Sequence, residues 1–302
     1  MTNLLLDLEP GKPGHLPFTI IIVTRNEENN IGPCLKAIAN FAPVIVVDSG
    51  SKDKTKKIAR QHGAHVHDFT WNGRYPKKRQ WVLDNIPLAH DWVLFLDADE
   101  RMPQKLKNDL IKLFKSGPAK DGYFIKSLYK IGDHVCRYGM RNNKLCLFNI
   151  RKMAFPVVDD LACPGMGEIE GHYQPVSQNP FEPVRIGRLK SPLIHLSLDD
   201  RAKWTVKHEN YAAWAACMTV RKAWPADPDK RRDLLKRFFR ALPCQPFFAF
   251  IQSYVVRLGF LDGKAGWTLA RSRASYYAMI RRSLKRRSHR ARAHSVRKVP
   301  AH

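Results

Sequence analysis

LFLDADERMP, residues 94–103, decides how the rest of the chain is read. The apolar run Val93-Leu94-Phe95-Leu96 stops at once in Asp97, Asp99 and Glu100. Such a stop is either a turn with a solvated acidic tip or a metal site at the mouth of an α/β sheet. The residues upstream separate the two.

Phe18–Val23 is a β-branched run with polar flanks, the pattern of a buried parallel strand. Ile31, Cys34, Leu35 and Ile38 then share one helical face. Val44–Asp48 reads as a second strand, and Asp53 is placed to cap a helix that runs through Ala59. Ala64–Phe69 reads as a short third strand, Tyr75–Ile86 as a helix and Asp91–Leu96 as a fourth strand. Alternation of this kind predicts an α/β fold with a mostly parallel central sheet and helices on both faces.

Polar residues recur where these strands end: Thr24, Asn26 and Glu27, then Asp48 and Ser49, then Asp97 and Asp99. Open α/β sheets bind ligands at that edge. Three unrelated solvent tips would not repeat the choice. GxGxxG and GxxxxGK[ST] are both missing, so neither the usual dinucleotide fingerprint nor a P-loop is present. Asp97 and Asp99 sit where the strand breaks, so one can bind a cation directly and the other through water or sugar hydroxyls. Few protein oxygens suit Mg2+ or Mn2+ bridged by a diphosphate.

In TIIIVTRNEENNI (19–31), VIVVDSGSKDKT (44–55) and WVLFLDADERM (92–102), taken in order, the sequence resembles family 2 glycosyltransferases of the GT-A fold. Among these it is most similar to lipopolysaccharide core β-glucosyltransferase-like enzymes. The likeness is specific over residues 18–102 and looser to about residue 220. It implies inverting transfer from a nucleoside-diphosphate sugar, a UDP-sugar above all, with Mg2+ or Mn2+. It matches Thr24, Asn26 and Glu27 to the first nucleotide-binding loop and Asp48 to the aspartate at the base or ribose. Asp97 and Asp99 match the metal and diphosphate motif, with Asp99 the direct ligand. Where relatives carry a Gln-basic-Asn run, this chain has Lys78-Arg79-Gln80, and Lys78 is the donor-side candidate there.

Inversion needs a carboxylate to take the acceptor hydroxyl's proton on the face opposite the diphosphate. MGEIEGHYQP, residues 166–175, supplies Glu168 and Glu170. Glu170 best matches the glutamate of the relatives' Val-His-Glu pattern and is the expected base, with Glu168 second. His172 stands beside them, either at the acceptor or as a packing residue. In residues 191–216, Lys207, Tyr211 and Trp214 share a broad helical face. His195, Lys207 and Tyr211 match a His, Lys and Tyr of the relatives, with Lys207 and Tyr211 at a donor or acceptor phosphate. An ordinary amphipathic helix accounts for the same spacing. Arg141 is a further phosphate candidate without local support.

The 302 residues include 52 Lys and Arg against 27 acids, a net charge of +25. The excess gathers beyond Trp224-Pro225, where basic residues mix with Phe238, Phe239, Phe247, Phe248 and Phe250. Relatives share Gly-Phe-Leu-Asp-Gly, residues 259–263. The expected organisation is an N-terminal extension (1–17), a catalytic domain (18–220) and a basic, aromatic-rich helical region with a flexible tail (221–302). An anionic membrane surface explains both the charge and the phenylalanines. Packing on the catalytic domain or a homodimer through this region is the competing account. No nucleic-acid motif is present.

Six cysteines without CxxC spacing suggest reduced thiols rather than a disulfide framework. Asp7 and Glu9, with no basic n-region, argue against a signal peptide, and no apolar run is long enough to span a bilayer. These features together point to a peripheral enzyme on the cytoplasmic face of a bacterial inner membrane, acting on a lipid-linked saccharide. A polyprenyl-linked acceptor, as in polysaccharide or O-antigen synthesis, is the alternative. A basic membrane or nucleic-acid binding protein without catalysis is the different class.

Overall fold

The computed structural model describes residues 15–171, 173–196 and 201–296, with side chains as far as residue 287. The first half alternates as expected. β1 (Thr19–Thr24), α1 (Glu28–Ala37), β2 (Val44–Asp48), α2 (Thr55–Gln61), β3 (His65–Asp68), α3 (Lys78–Asn85) and β4 (Trp92–Asp97) follow one another. β5 (Glu100–Arg101) and α4 (Gln104–Lys115) come next, then β6 (Gly122–Ile131), β7 (His134–Val135), β8 (Asn142–Asn149) and β9 (Met153–Ala154). β10 (Val176–Ser177), β11 (Ile186–Arg188) and β12 (Leu193–His195) lead into helices α5 (Arg201–Arg221), α6 (Lys230–Ala241), α7 (Gln245–Ile251) and α8 (Gly263–Val296). A π-helical turn (Gln252–Val256) and a 3-10 turn (Gly259–Asp262) join the last two.

The main sheet runs β3-β2-β1-β4-β8-β6-β12-β5, with β7 and β11 also on β6, and β9 pairs with β10 apart from it. β3, β2, β1 and β4 are parallel. Ile20, Ile21, Ile22, Ile45, Val46 and Val93 are fully buried, because helices cover both faces, so these strands are continuously apolar.

The mostly parallel sheet expected from the sequence is corrected beyond β4: the sheet is mixed. β8 is antiparallel to both β4 and β6, and β5 is antiparallel to β12. The cause is local, since β6 returns into β8 through a short connection, and short connections join antiparallel strands. This reversal brings the start of β8 to the edge where β1, β2 and β4 end.

A second correction concerns the cysteines. Cys163 and Cys217 form a disulfide, with Cα atoms 5.6 Å apart. They are 54 residues apart in sequence, so no spacing rule reveals them. The bond ties the 155–171 loop to α5. Two glycines allow the same close approach. A Cβ on Gly171 would lie 2.3 Å from the Trp214 ring, and one on Gly165 2.1 Å from the Asn210 carbonyl oxygen. Beneath them Asp160, 1% exposed, accepts from Lys77 Nζ (2.8 Å), Tyr75 Oη (2.6 Å) and Trp214 Nε1 (3.0 Å). Loop, α3 and α5 are thereby held as one unit.

Candidate functional site

Strand register builds the site. Thr24 lies beside Asp48, and Val23 beside Asp97, so three polar strand ends converge. Thr24 Oγ1 donates to Asp48 Oδ2 (3.0 Å), while Ser51 donates to the same carboxylate from its amide (2.7 Å) and hydroxyl (2.5 Å). Asp48 is buried and shapes the loop after β2. Asn26 takes a positive φ of 56° and accepts from the Lys52 amide at 2.9 Å, locking the first loop against the second. Asp53, expected as a cap, accepts from the Thr55 amide at 3.0 Å and the Glu28 amide at 3.1 Å, so it joins the starts of α2 and α1. Glu27 accepts from Asn30 at 2.8 Å. Burial raises its carboxyl above the ordinary range, against that hydrogen bond.

The DAD turn carries the charge. Asp97 is 31% exposed and pairs with Lys144 Nζ at 2.6 Å and with Arg79 Nη2 at 3.6 Å. Its burial would raise the carboxyl, but Lys144 and Arg79 outweigh this and hold it well below the usual carboxylate range. Asp99 Oδ2 lies 3.1 Å from His195 Nε2 and 4.0 Å from Lys207 Nζ. Burial again opposes, and His195 and Lys207 again prevail, so Asp99 stays ionised to lower pH than a free aspartate. Reciprocally, Asp99 overrides the burial of His195 and raises the imidazole above its ordinary value. Lys207 is raised by Tyr211 and Asp99 against its burial.

Glu100 is fully buried beneath the turn. It accepts from Ser127 Oγ (2.8 Å), the Asp97 amide (3.2 Å) and Lys144 Nζ (2.7 Å). Lys144 is the member that sequence reasoning missed, and Glu100, noted there only as the third acid of the turn, proves to be its buried support. A lone lysine before the apolar run of β8 carries no local signal, and only the antiparallel return of that strand brings it to Asp97.

Lys78, 2% exposed, donates to Glu168 Oε1 at 2.8 Å and reaches the Thr24 carbonyl at 3.5 Å. Burial lowers its pKa, against the pull of Glu168. Glu170 has a different setting from Glu168. It is 2% exposed, and its oxygens accept from the amides of Arg79 (3.1 Å) and Gln80 (2.9 Å) in the first turn of α3. It thus satisfies two otherwise orphaned donors at a helix start, and burial raises its carboxyl. Glu168 is 16% exposed. Tyr211 lies on α5, its ring centroid 5.6 Å from that of His208. Arg141 is exposed and bonds the Arg137 carbonyl at 2.5 Å. His172 lies outside the described residues.

Among the described residues no group of three or more His, Cys, Asp or Glu side chains forms a cage for a metal ion. The donor set at the turn nevertheless fits a shared ion. Asp99 and His195 offer oxygen and nitrogen side by side, Asp97 offers a second carboxylate, and a phosphate-bearing ligand would supply further oxygens. Carboxylate with imidazole suits Mn2+ better than Mg2+. His195 Nδ1 is buried without a hydrogen-bond partner.

The family described as Glycosyl transferase family 2 matches residues 19–166. An uncharacterized glycosyltransferase of Rickettsia typhi is 36% identical over 100 residues, covering 33% of this chain and 33% of that protein. The lipopolysaccharide core biosynthesis glycosyltransferase LpsC of Rhizobium meliloti is 28% identical over 123 residues, covering 39% of this chain and 44% of that one. The chain therefore spans between a third and a half of the length of these curated relatives. Among solved structures, glucosyl-3-phosphoglycerate synthase of Mycobacterium tuberculosis, in complex with Mn2+, UDP and glucosyl-3-phosphoglycerate, is 24% identical. It covers 38% of this chain and 44% of its own, with a TM-score of 0.30.

Proposed function

We propose that this chain, whose residues 19–166 match glycosyl transferase family 2, moves a sugar from a nucleoside-diphosphate sugar to a lipid-linked saccharide such as lipopolysaccharide core. The observation that carries the reading is the Asp97–Asp99 turn at the carboxyl edge, with Lys144, Arg79, His195 and Lys207 arranged around it. The core-saccharide acceptor is favoured by the likeness to LpsC. Such an acceptor favours the cytoplasmic face of a bacterial inner membrane, where the Cys163–Cys217 bond would have to persist against a reducing environment.

Thr24, Asn26, Glu27 and Asp48 frame the nucleoside side, with UDP as the expected base carrier. A divalent ion held by Asp99, His195 and Asp97 would supply charge neutralisation at the diphosphate. Lys144, Arg79 and Lys207 add fixed positive charge where the leaving diphosphate gains negative charge. The acceptor oxygen attacks the anomeric carbon, the bond from that carbon to the β-phosphate oxygen breaks, and a carboxylate takes the acceptor proton. That makes the transfer inverting.

Between the two glutamates of the 166–171 loop, access decides. A base must come within hydrogen-bond reach of the hydroxyl. Glu168 is the more accessible of the two, 16% exposed with one oxygen on Lys78, whereas Glu170, 2% exposed, is committed to the first turn of α3. We assign the proton to Glu168 and give Glu170 the task of holding α3 and its Lys78 and Arg79 in place.

The test is release of nucleoside diphosphate from UDP-, GDP- and dTDP-sugars with Mn2+ and a truncated core lipopolysaccharide as acceptor. One donor should be consumed only when acceptor is present, with inverted anomeric configuration in the product and no turnover by Asp99→Ala. No turnover of any donor by wild type, or full turnover by Asp99→Ala, would overturn the reading.

A further inference from the structure

Seventeen large apolar side chains are exposed among the described residues, and eleven of them lie between Leu234 and Trp267. α6 buries no residue and leaves Leu234, Leu235 and Phe238 at 68%, 67% and 63% exposure. Phe247 on α7 and Val256 in the π-helical turn are as open, at 61% and 66%. These side chains belong to one packed unit. Trp267 at the start of α8 stacks edge-on to Phe250 (5.1 Å) and Tyr254 (5.3 Å), and Tyr254 meets Phe260 at 6.3 Å. Gln245 Nε2 donates to the carbonyls of Phe239 and Arg240, which joins α7 to α6.

The charge around this apolar surface has one sign. Residues 230–287 contain 15 Lys and Arg and two acids, Asp233 and Asp262. Asp233 is paired with Arg237 at 2.8 Å. Asp262 is buried and accepts from the Arg137 amide (3.2 Å), the Tyr138 amide (2.8 Å) and His134 (3.0 Å). Arg231, Arg257, Lys264 and Arg271 are left exposed beside the apolar side chains.

We propose that α6, α7 and the start of α8 seat on an anionic lipid bilayer and present the donor site to acceptors held in that bilayer. This rests on the sugar-transfer reading for the acceptor and names the surface that meets it. Exposed apolar side chains with basic neighbours and no acid to oppose them match acyl chains below and anionic headgroups beside them. No helix among the described residues is long and apolar enough to cross a membrane, so the surface lies on the bilayer. A second copy is a poorer occupant, because two faces of the same positive charge repel when brought together. A nucleic acid would leave the apolar side chains unaccounted for.

The surface is mechanically tied to the donor edge. Asp262 grips the turn that continues β6, and the Gly139 amide of that turn donates to the Arg257 carbonyl at 2.8 Å. Tyr129 of β6 stacks on His195, with ring centroids 5.4 Å apart. Farther along α8, Tyr276 packs edge-on against His208, the neighbour of Lys207, at 5.6 Å. Seating the surface therefore fixes how the Asp99–His195–Lys207 edge faces the membrane.

The full chain is sedimented with vesicles of phosphatidylcholine alone and of phosphatidylcholine mixed with phosphatidylglycerol. Wild type should bind the mixed vesicles and not the neutral ones, with a blue shift in tryptophan emission that Trp267→Phe removes. Leu235→Glu with Phe238→Glu, and separately Lys264→Glu with Arg271→Glu, should each weaken binding by at least about tenfold. Both variants should keep wild-type melting temperature and wild-type donor binding in vesicle-free solution.

Equal binding to neutral vesicles, no binding to either kind, or binding untouched by both variants would overturn the proposal. So would a concentration-dependent dimer that both variants dissolve. Donor binding is read without vesicles, so its loss in wild type would strike the sugar-transfer reading alone and leave the vesicle result standing.

Discussion

Two acidic sites in this molecule each set an aspartate against a lysine and come out opposite. At Asp160 three donors, Lys77, Tyr75 and Trp214, converge on a carboxylate that is 1% exposed, and Lys77 is equally sealed. At the DAD turn Asp97 and Asp99 have more cationic neighbours, Lys144, Arg79, His195 and Lys207, yet Asp97 is 31% exposed, and its guanidinium partner stands at 3.6 Å. The first site is saturated and holds loop, α3 and α5 together. The second holds its carboxylates ionised while leaving room for another ligand. Cationic neighbours alone do not mark a functional acid; unsatisfied capacity does.

The largest effect should fall on chemistry. Glu168→Gln removes the proposed proton acceptor and should lower kcat by about 10²–10⁴-fold, with KM for donor nearly unchanged, in steady-state kinetics. Glu170→Gln should keep kcat within tenfold of wild type. The reverse pattern would exchange the two roles.

Next comes the sealed site. Asp160→Ala leaves the Lys77 ammonium buried without its partner and should cost about 3–5 kcal/mol in denaturant unfolding. Cys163→Ser should follow, since the bond closes a 54-residue separation, a loop size for which losses of about 2–4 kcal/mol are typical. Asp99→Ala removes the carboxylate partner of a largely buried His195 and should cost about 1–2 kcal/mol, clearly less than Asp160→Ala. If Asp99→Ala destabilised the fold as much as Asp160→Ala, the contrast between the two acids would collapse.

The smallest effect concerns pH. Burial raises the folded-state carboxyl of Glu170 above its ordinary 4.5. A raised folded value means that the protonated form is favoured by folding. Its stabilising contribution is complete below the ordinary value and is lost as pH rises through the folded one. The stability difference between wild type and Glu170→Gln should therefore shift in favour of wild type as pH falls from 7 to 4, read from urea midpoints at each pH. An unchanged difference would show that the amides of Arg79 and Gln80 cancel the burial.

The first four strands were legible because their information is local. Runs such as Ile20-Ile21-Ile22 must be buried on both faces, and polar residues placed just after such runs must meet at one edge. Thr24, Asp48, Asp97 and Asp99 follow from that alone. The rest of the site arrives by long-range packing. Lys144 reaches Asp97 only because β8 reverses direction. Asp160 becomes a hub only because Gly165 and Gly171 let the loop press on α5. The Cys163–Cys217 bond has no signature in spacing. Glu170 carried a family likeness, and what it does locally depends on α3, whose first turn starts 92 residues earlier in the sequence.

The central claim is tested most directly by calorimetric titration of the purified chain with UDP, GDP and dTDP, with and without Mn2+, in wild type and Asp99→Ala. The account predicts that one nucleotide binds tightly only with Mn2+ and that Asp99→Ala abolishes the metal dependence while the chain stays folded. Nucleotide binding indifferent to both Mn2+ and Asp99, or none at all, would contradict it.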